Sequence, residues 1–223
     1  PVLIRTPAGE DVLDFGQEVT GWVEFECHLP AGHRILLQYG EILQGGNFYQ
    51  ENLRTAKQEY MFISDGEPRH VRPHFTFYGF RYVKVTGLDT VRPEDFTACV
   101  IHSDLLFTAE VETGNEKVNR LALNALWGQR GNFVDVPTDC PQRDERMGWT
   151  GDAQVFSATA SFFMETPAFF HKYLHDMLLE QQERGGSVPH VVPDMIRIVA
   201  QKHPDDYVFS SAHGSCAWGD AAT

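Results

Sequence analysis

Residues 135–154 read DVPTDCPQRDERMGWTGDAQ and join two stretches of helical pattern. Long ordered loops between helices are uncommon and often functional. The prolines and glycines of this stretch favour a fixed shape. Trp149 and two arginines are interspersed with its acidic residues, which are Asp135, Asp139, Asp144, Glu145 and Asp152. A solvated, salt-bridged connector would have the same composition, so composition alone leaves both interpretations open.

The chain on either side of this stretch has the three-and-four apolar spacing of helices. Before it, Asn115 is the candidate N-cap of a helix with an apolar stripe of Val118, Leu121, Ala122, Ala125 and Leu126. After it, a helix following Asp152 is predicted to bury Val155, Phe156, Phe162 and Phe163. A third helix is predicted from the Thr166 cap and Pro167 to Gly185-Gly186. Residues 106–223 are therefore predicted to begin an all-α domain.

Residues 1–105 have the pattern of β-strands instead. Short apolar or alternating runs are separated by turn formers such as Pro30-Ala31-Gly32, with no helical period between them. The runs are residues 12–16, 21–27, 34–39, 59–63, 81–85 and 97–101. Strands at this spacing favour an antiparallel β-sandwich. The predicted organisation is a multidomain β + α chain with a boundary at 105/106.

The amino-acid composition and the net charge argue against some classes of binding partner. The net charge is −13, with an acidic excess in both halves, which argues against binding to nucleic-acid phosphates. No apolar run approaches about 20 residues, so no membrane span is predicted. The chain opens at Pro1 without a leader, so we expect the natural N-terminus to be missing and assign no compartment. Four cysteines fit no zinc spacing and are expected as free thiols: Cys27, Cys99, Cys140 and Cys216.

The acidic loop contains the types of residue that glycoside hydrolysis requires. One carboxyl must be protonated so that it can donate to the leaving oxygen, and a second carboxylate must activate water. Further acids can bind sugar hydroxyls, and an aromatic face can pack on the sugar ring. In an inverting enzyme the two catalytic carboxyl groups stand about 6.5–9.5 Å apart to leave room for the water.

The same loop resembles the signature of the bacterial α-L-rhamnosidases of glycoside hydrolase family 78. VLDFGQEVTGWVEFE from residue 12, ENLRTAKQEYMF from 51 and FTFYGFRYVKVTG from 75 resemble the β-sandwich that precedes their catalytic domain. WGQRGNF from 127, GSVPHVVPD from 186 and WGDAA from 218 resemble the opening of their (α/α)6 barrel. The resemblance covers nearly the whole chain. It implies a β-sandwich over 1–105, followed over 106–223 by the first helices of an incomplete barrel.

The resemblance also implies roles for individual residues. Glu145 matches the general acid of an enzyme that releases terminal non-reducing α-L-rhamnose with inversion. Asp139 and Asp152 match acids that bind rhamnose hydroxyls and assist the site. The matched substrate contacts are Arg143, Trp149 and Trp218. The family's general base is a glutamate later in the barrel and matches no residue here, so we expect this chain alone to be inactive.

The implied partner is a rhamnose-containing oligosaccharide or glycoside. These residues imply no cofactor and specify no metal site, although calcium occurs in some members of the family. Two other functions stay open. The chain could belong to a non-catalytic carbohydrate-binding module, in which the β-sandwich binds glycan and the helices are structural, or to a six-hairpin glycosidase for another sugar. Phe77-Tyr78-Gly79-Phe80 could be a sugar-stacking platform, but aromatic strand residues are more often core. Structural roles are favoured for the remaining candidates, which are Cys140, His171 and His175; His190 is equally consistent with a pocket or a structural role.

Overall fold

One long strand organises the first half of the chain. The computed structural model describes residues 1–202 and 214–222, and β2 (Asp11–Cys27) pairs antiparallel with four other strands. The register shifts between Asp14 and Val19, which is a β-bulge within β2. The other strands are β1 (Val2–Arg5), β3 (Arg34–Gly40), β4 (Ile42–Gln44), β5 (Asn47–Tyr49), β6 (Glu59–Ile63), β7 (Arg69–Val71), β8 (Tyr78–Thr86) and β9 (Phe96–Val100).

The predicted β architecture is confirmed. The main sheet has seven strands in the order β1-β2-β8-β3-β6, with β7 and β9 also paired to β2. Every run predicted as a strand falls on one, and the runs at 12–16 and 21–27 merge into β2. Strands β4 and β5 form a separate hairpin. This arrangement is the β half of the predicted β + α fold.

Alternation along the strands defines the core of this half. On β3, Ile35, Leu37 and Tyr39 are buried, while Arg34, Leu36 and Gln38 are more exposed. This is the period-two pattern of a sheet with one face on a core. Val12 and Leu13 are consecutive and both completely buried, so both faces of β2 are covered at that point. Covered faces on both sides agree with a layered β domain.

The second half is helical. Its helices are α1 (Glu116–Asn132), α2 (Thr150–Phe163), α3 (Pro167–Glu183), α4 (Met195–Lys202) and α5 (Cys216–Gly219), with a two-stranded ribbon of β10 (Phe133–Val134) and β11 (Val136–Pro137). The predicted cap of α1 is confirmed, because Asn115 Oδ1 accepts from the Lys117 backbone N–H at 3.0 Å. Pro167 is the first residue of α3 as predicted. Thr166 makes no capping bond, since its hydroxyl bonds that of Ser161 at 2.7 Å.

The predicted buried face of α2 is wrong in two of its four residues. Phe163 is buried, but Val155 is 83% exposed and Phe162 is 54% exposed. Ala153 and Ala160 lie on the buried face instead, where they pack in clusters with Tyr173 and with Phe169 of α3. Apolar residues occur on both faces of α2, so periodicity does not discriminate between them. Small alanines allow the closer approach of a neighbouring helix.

The stripe predicted on α1 is also open in the described structure. Leu121 is 68% exposed and Val118 is 43% exposed. The five described helices are fewer than the twelve of a complete (α/α)6 barrel, which agrees with the predicted incomplete barrel. Within the described ranges, no helix combines the length and the apolar character that crossing a membrane requires.

The chain folds into two compact units. The β unit comprises residues 1–101 together with 141–145, and the helical unit comprises residues 102–140 and those from 146 onward. A short piece of the acidic loop thus belongs with the β-strands. The domain boundary that we place at 105/106 stays a prediction.

Candidate active site

Five residues of the acidic loop, 141–145, pack within the β unit. A glycine on strand β8 makes this packing possible. A Cβ atom added to Gly79 would lie 2.8 Å from Pro141 Cγ and 2.8 Å from Gln142 Cβ, far inside van der Waals contact. Gly79 therefore fits only without a side chain. Its neighbours Tyr78 and Phe80 are buried, at 7% and 0% exposure, so they form core and not an exposed sugar-stacking platform.

Glu145 is held by two arginines of the β unit. Its Oε2 atom lies 3.0 Å from Arg54 Nη1 and 2.8 Å from Arg143 Nη2. The side chain of Glu145 is 19% exposed, so the carboxyl is mostly covered but still accessible. Arg143, predicted as a substrate contact, thus contacts the predicted general acid. Arg54 lies in the run ENLRTAKQEYMF, but no role was predicted for it, because Glu145 is 91 residues away in the sequence.

The neighbouring acid, Asp144, has a different environment. The hydroxyl and the backbone N–H of Thr55 both donate to Asp144 Oδ2. These hydrogen bonds hold the pKa of Asp144 below its ordinary value. Asp144 is thus tied to the 50–55 loop through Thr55, and no catalytic role is predicted for it.

Two further carboxyl groups lie in the β unit near this loop. Burial and the neighbouring Glu41 raise the pKa of Glu18 to about 8, against an ordinary value of 4.5. Burial also raises the pKa of Glu41, which accepts hydrogen bonds from the side chains of Asn52 and Gln142. Glu41 thereby fixes Gln142, three residues before Glu145. Neither glutamate was predicted from the sequence, because only the folded chain brings them together.

The helical unit contains a cavity of about 830 Å³. This volume lies within the range of about 300–1,000 Å³ that small-molecule sites occupy. Three carboxyl groups line it, together with three amides and an indole: Asp139, Asp152, Asp220, Gln129, Asn132, Gln154 and Trp218. The predicted residues Asp139, Asp152 and Trp218 are therefore brought to one cavity. Asp220 and the three amides are additional polar groups to which the sequence analysis assigned no role.

Asp139 closes the base of the loop. Its Oδ1 accepts from the Met147 backbone N–H at 3.1 Å, and its own backbone N–H donates to the Met147 carbonyl at 3.2 Å. This reciprocal pair joins the residues that flank 140–146. Asp139 therefore has a positioning role for the loop besides lining the cavity.

The N-terminus of α2 carries Asp152, and a backbone contact fixes it. The Thr150 N–H donates to the His190 carbonyl at 2.9 Å, and the Val192 N–H donates to the Gly148 carbonyl at 2.8 Å. A Cβ atom added to Gly148 would lie 2.3 Å from the Val192 carbonyl oxygen, so this contact requires glycine. Asp152 itself is exposed and accessible to a ligand.

The two tryptophans differ in their relation to the cavity. Trp218, on α5, packs on α2 at Gly151, where an added Cβ atom would lie 2.8 Å from the indole Nε1. The His190 ring lies edge-on to Trp218, with centroids 5.9 Å apart. Trp149 directly precedes α2 and pairs with Val191, and it is not among the described residues that line the cavity. Its predicted substrate contact stays a prediction.

The chain thus has a β-sheet unit with an acid-rich loop and a helical unit with a carboxylate-lined cavity. The comparisons place it in a class of glycoside hydrolases built on helical hairpins. Residues 107–223 match the family model described as the bacterial α-L-rhamnosidase six-hairpin glycosidase domain. Residues 4–102 match the model of the bacterial α-L-rhamnosidase concanavalin-like domain. The chain belongs to the bacterial α-L-rhamnosidase family.

Individual relatives agree with this assignment. An α-L-rhamnosidase of Streptomyces avermitilis is 40% identical over 96% of this chain and 20% of its own length. The structure of α-L-rhamnosidase from Dictyoglumus thermophilum has a TM-score of 0.87 and 34% identity over 100% of this chain and 24% of that one. The S. avermitilis enzyme complexed with L-rhamnose has a TM-score of 0.82 and 39% identity over 88% of this chain and 19% of its own. The chain thus spans about a fifth to a quarter of the relatives it matches.

Proposed function

We propose that the protein containing this chain is an inverting α-L-rhamnosidase that removes terminal non-reducing α-linked L-rhamnose. The observation that carries the proposal is the similarity to a rhamnosidase complexed with L-rhamnose, at 39% identity over 88% of this chain. Family membership across both halves of the chain supports the same substrate class.

In this proposal Glu145 is the general acid. It protonates the glycosidic oxygen as the bond to the anomeric carbon breaks, and water adds to that carbon from the opposite face. Its 19% exposure supports the role, because a donor must be reachable yet partly withdrawn from water. The general base is not assigned to any residue of this chain.

The other proposed roles concern binding of the sugar. Asp139 and Asp152 accept hydrogen bonds from rhamnose hydroxyls, and Trp218 packs against the apolar face of the ring. Their presence on one cavity of suitable volume supports this assignment. Arg143 and Trp149 are proposed as further substrate contacts. For Arg143, the 2.8 Å contact with Glu145 Oε2 supports a place beside the reacting group.

A panel of aryl glycosides tests the substrate class. The full-length protein should hydrolyse the aryl α-L-rhamnoside, while glycosides of other sugars react orders of magnitude more slowly. Proton NMR of the first-formed sugar should show the β-anomer, as inversion requires. Preference for another sugar would establish a different six-hairpin glycosidase. Binding of rhamnose without hydrolysis of any glycoside would establish the binding-module alternative.

A further inference from the structure

Arg54 has a backbone conformation that residues with a side chain rarely adopt. Its φ is 58° and its ψ is −118°, at the end of the short 3-10 turn Glu51–Leu53. Such a conformation costs free energy and persists only where the surrounding structure fixes it. Strained residues of this kind concentrate at functional sites. The surrounding structure must therefore hold Arg54 in this conformation, and the strain marks Arg54 as a candidate for a functional role.

Contacts on both sides of Arg54 supply the cause. Leu53 is completely buried and anchors the turn in the β unit. The side chain of Gln50 donates to the Tyr39 carbonyl at 2.7 Å and to the Gln58 carbonyl at 3.2 Å, so it ties the two ends of the loop together. Thr55 binds Asp144 through its hydroxyl and its backbone N–H. The loop is thus fixed against both the sheet and the acidic stretch.

The guanidinium of Arg54 contacts the carboxyl group of Glu145. Its Nη1 atom lies 3.0 Å from Oε2 of Glu145, and Nη2 of Arg143 lies 2.8 Å from the same oxygen. Both of these contacts are made by Oε2 of Glu145, and Oε1 takes part in neither. A guanidinium only donates hydrogen bonds. A proton on Oε2 would point at two sets of N–H donors, so a protonated Glu145 carries its proton on Oε1.

We propose that Arg54 is a positioning residue for proton donation, holding Oε2 of Glu145 together with Arg143 so that Oε1 delivers the proton. The proposal rests on the assignment of Glu145 as general acid. When the bond between the anomeric carbon and the glycosidic oxygen breaks, its electron pair stays on that oxygen, which takes the proton from Oε1. Glu145 becomes a carboxylate, and its charge is matched by the two guanidinium groups. Water adds to the anomeric carbon and gives its proton to the base.

The dependence on the leaving group tests this proposal. A dinitrophenolate leaves without protonation, whereas an alkoxide needs a correctly placed proton. In the full-length protein, Arg54→Ala should lower kcat/KM for an alkyl α-L-rhamnoside by roughly 10- to 100-fold, the scale of a misplaced catalytic group. The loss for the dinitrophenyl α-L-rhamnoside should stay below about threefold, because that reaction does not use the proton. Arg54→Lys should recover part of the loss, since an ammonium group can still donate to Oε2.

Two further variants guard against a purely structural effect. Arg54→Gly removes the guanidinium but permits the positive φ, so it should fold with an unchanged or higher Tm and show the same leaving-group-dependent loss. Arg92→Ala is the matched control, because Arg92 is an exposed arginine of the β unit that pairs with Asp95 at 2.8 Å. It should leave kcat/KM for both substrates unchanged.

The outcomes separate this proposal from the proposed function. Equal losses on both substrates, or no loss in Arg54→Gly, would overturn the positioning role. Glu145→Gln serves as the reference. If Glu145→Gln loses activity selectively on the alkyl rhamnoside and the Arg54 variants do not, only the role of Arg54 fails. If Glu145→Gln itself shows no such selectivity, the assignment of the general acid fails and the role of Arg54 fails with it.

Discussion

Inward apolar side chains on the strands of the β unit and apolar side chains on the helices of the helical unit differ in their exposure to solvent. In the β unit, the inward residues of the strands, such as Val23, Phe25 and Leu37, are at most 2% exposed. In the helical unit, Leu121 is 68% exposed and Val155 is 83% exposed, although both lie in regular helices. The helices present apolar faces that no described residue covers, and such faces are typical of surfaces that other protein segments occupy.

The proposed chemistry is divided between the same two units. Glu145 is held by arginines of the β unit, whereas the cavity lined by Asp139 and Asp152 belongs to the helical unit. In the proposed function, the residue assigned to proton donation belongs to the β unit, and the carboxyl groups assigned to sugar binding belong to the helical unit. The buried core of the strands therefore belongs to the β unit, and the polar cavity belongs to the helical unit.

The largest expected contrast is a matched pair of leucines. Leu37→Ala removes a completely buried side chain and should lower the free energy of unfolding by about 2–5 kcal/mol. Leu121→Ala removes a side chain that is 68% exposed and should change it by less than about 0.5 kcal/mol. Urea unfolding followed by circular dichroism measures both. Equal losses would show that the helical face at Leu121 is covered, and the contrast between the units would disappear.

A pair of glycines provides a second contrast, within the helical unit. Gly148→Ala places a Cβ atom 2.3 Å from the Val192 carbonyl oxygen and should cost about 1–3 kcal/mol, with loss of activity because the contact fixes the start of α2. Gly128→Ala meets no atom within 4 Å, and Gly128 lies inside α1, so alanine should stabilise the protein by up to about 1 kcal/mol. Thermal unfolding and a rhamnoside assay check both variants. Tolerance of alanine at 148 would contradict the tight contact.

A smaller effect concerns a buried acid of the β unit. The pKa of Glu18 is raised to about 8 in the folded chain, against an ordinary value of 4.5, so the folded state binds more protons between these values. The contribution of Glu18 to the free energy of unfolding is therefore fully present below pH 4.5 and is lost as the pH rises towards 8. Between about pH 5 and pH 7, the free energy of unfolding should therefore fall by about 1–2 kcal/mol less in Glu18→Gln than in the parent protein.

Urea unfolding at the two pH values measures this change. Glu94→Gln, at an exposed position of the same unit, is the control and should leave the pH dependence as it is. An unchanged slope in Glu18→Gln would mean that Glu18 is ionised and solvated in the folded protein.

The parts of the fold that follow from local chemistry could be predicted from the sequence. Pro167 and Gly185-Gly186 mark the ends of α3, and Asn115 caps α1, because each acts on its own neighbours. The buried face of α2 could not be predicted, since apolar residues occupy both of its faces. The Arg54–Glu145 pair joins residues 91 apart through a positive φ at an arginine, and no sequence pattern encodes either feature.

The candidate site divides in the same way. Its residue types followed from resemblance of the 135–154 loop to a family signature. The grouping of Glu18 with Glu41 and the requirement for glycine at 79 depend on contacts between distant strands and the loop, which only the folded chain reveals.

Turnover of an alkyl α-L-rhamnoside by the full-length Glu145→Gln variant decides whether Glu145 is the proton donor. An amide cannot donate the proton, so kcat should fall by roughly 10²- to 10⁴-fold, with the Tm and the binding of rhamnose retained. Glu183→Gln, at an exposed glutamate of α3, should keep full activity. Turnover by Glu145→Gln within about threefold of the parent would contradict the assignment, because general acid catalysis contributes far more than that.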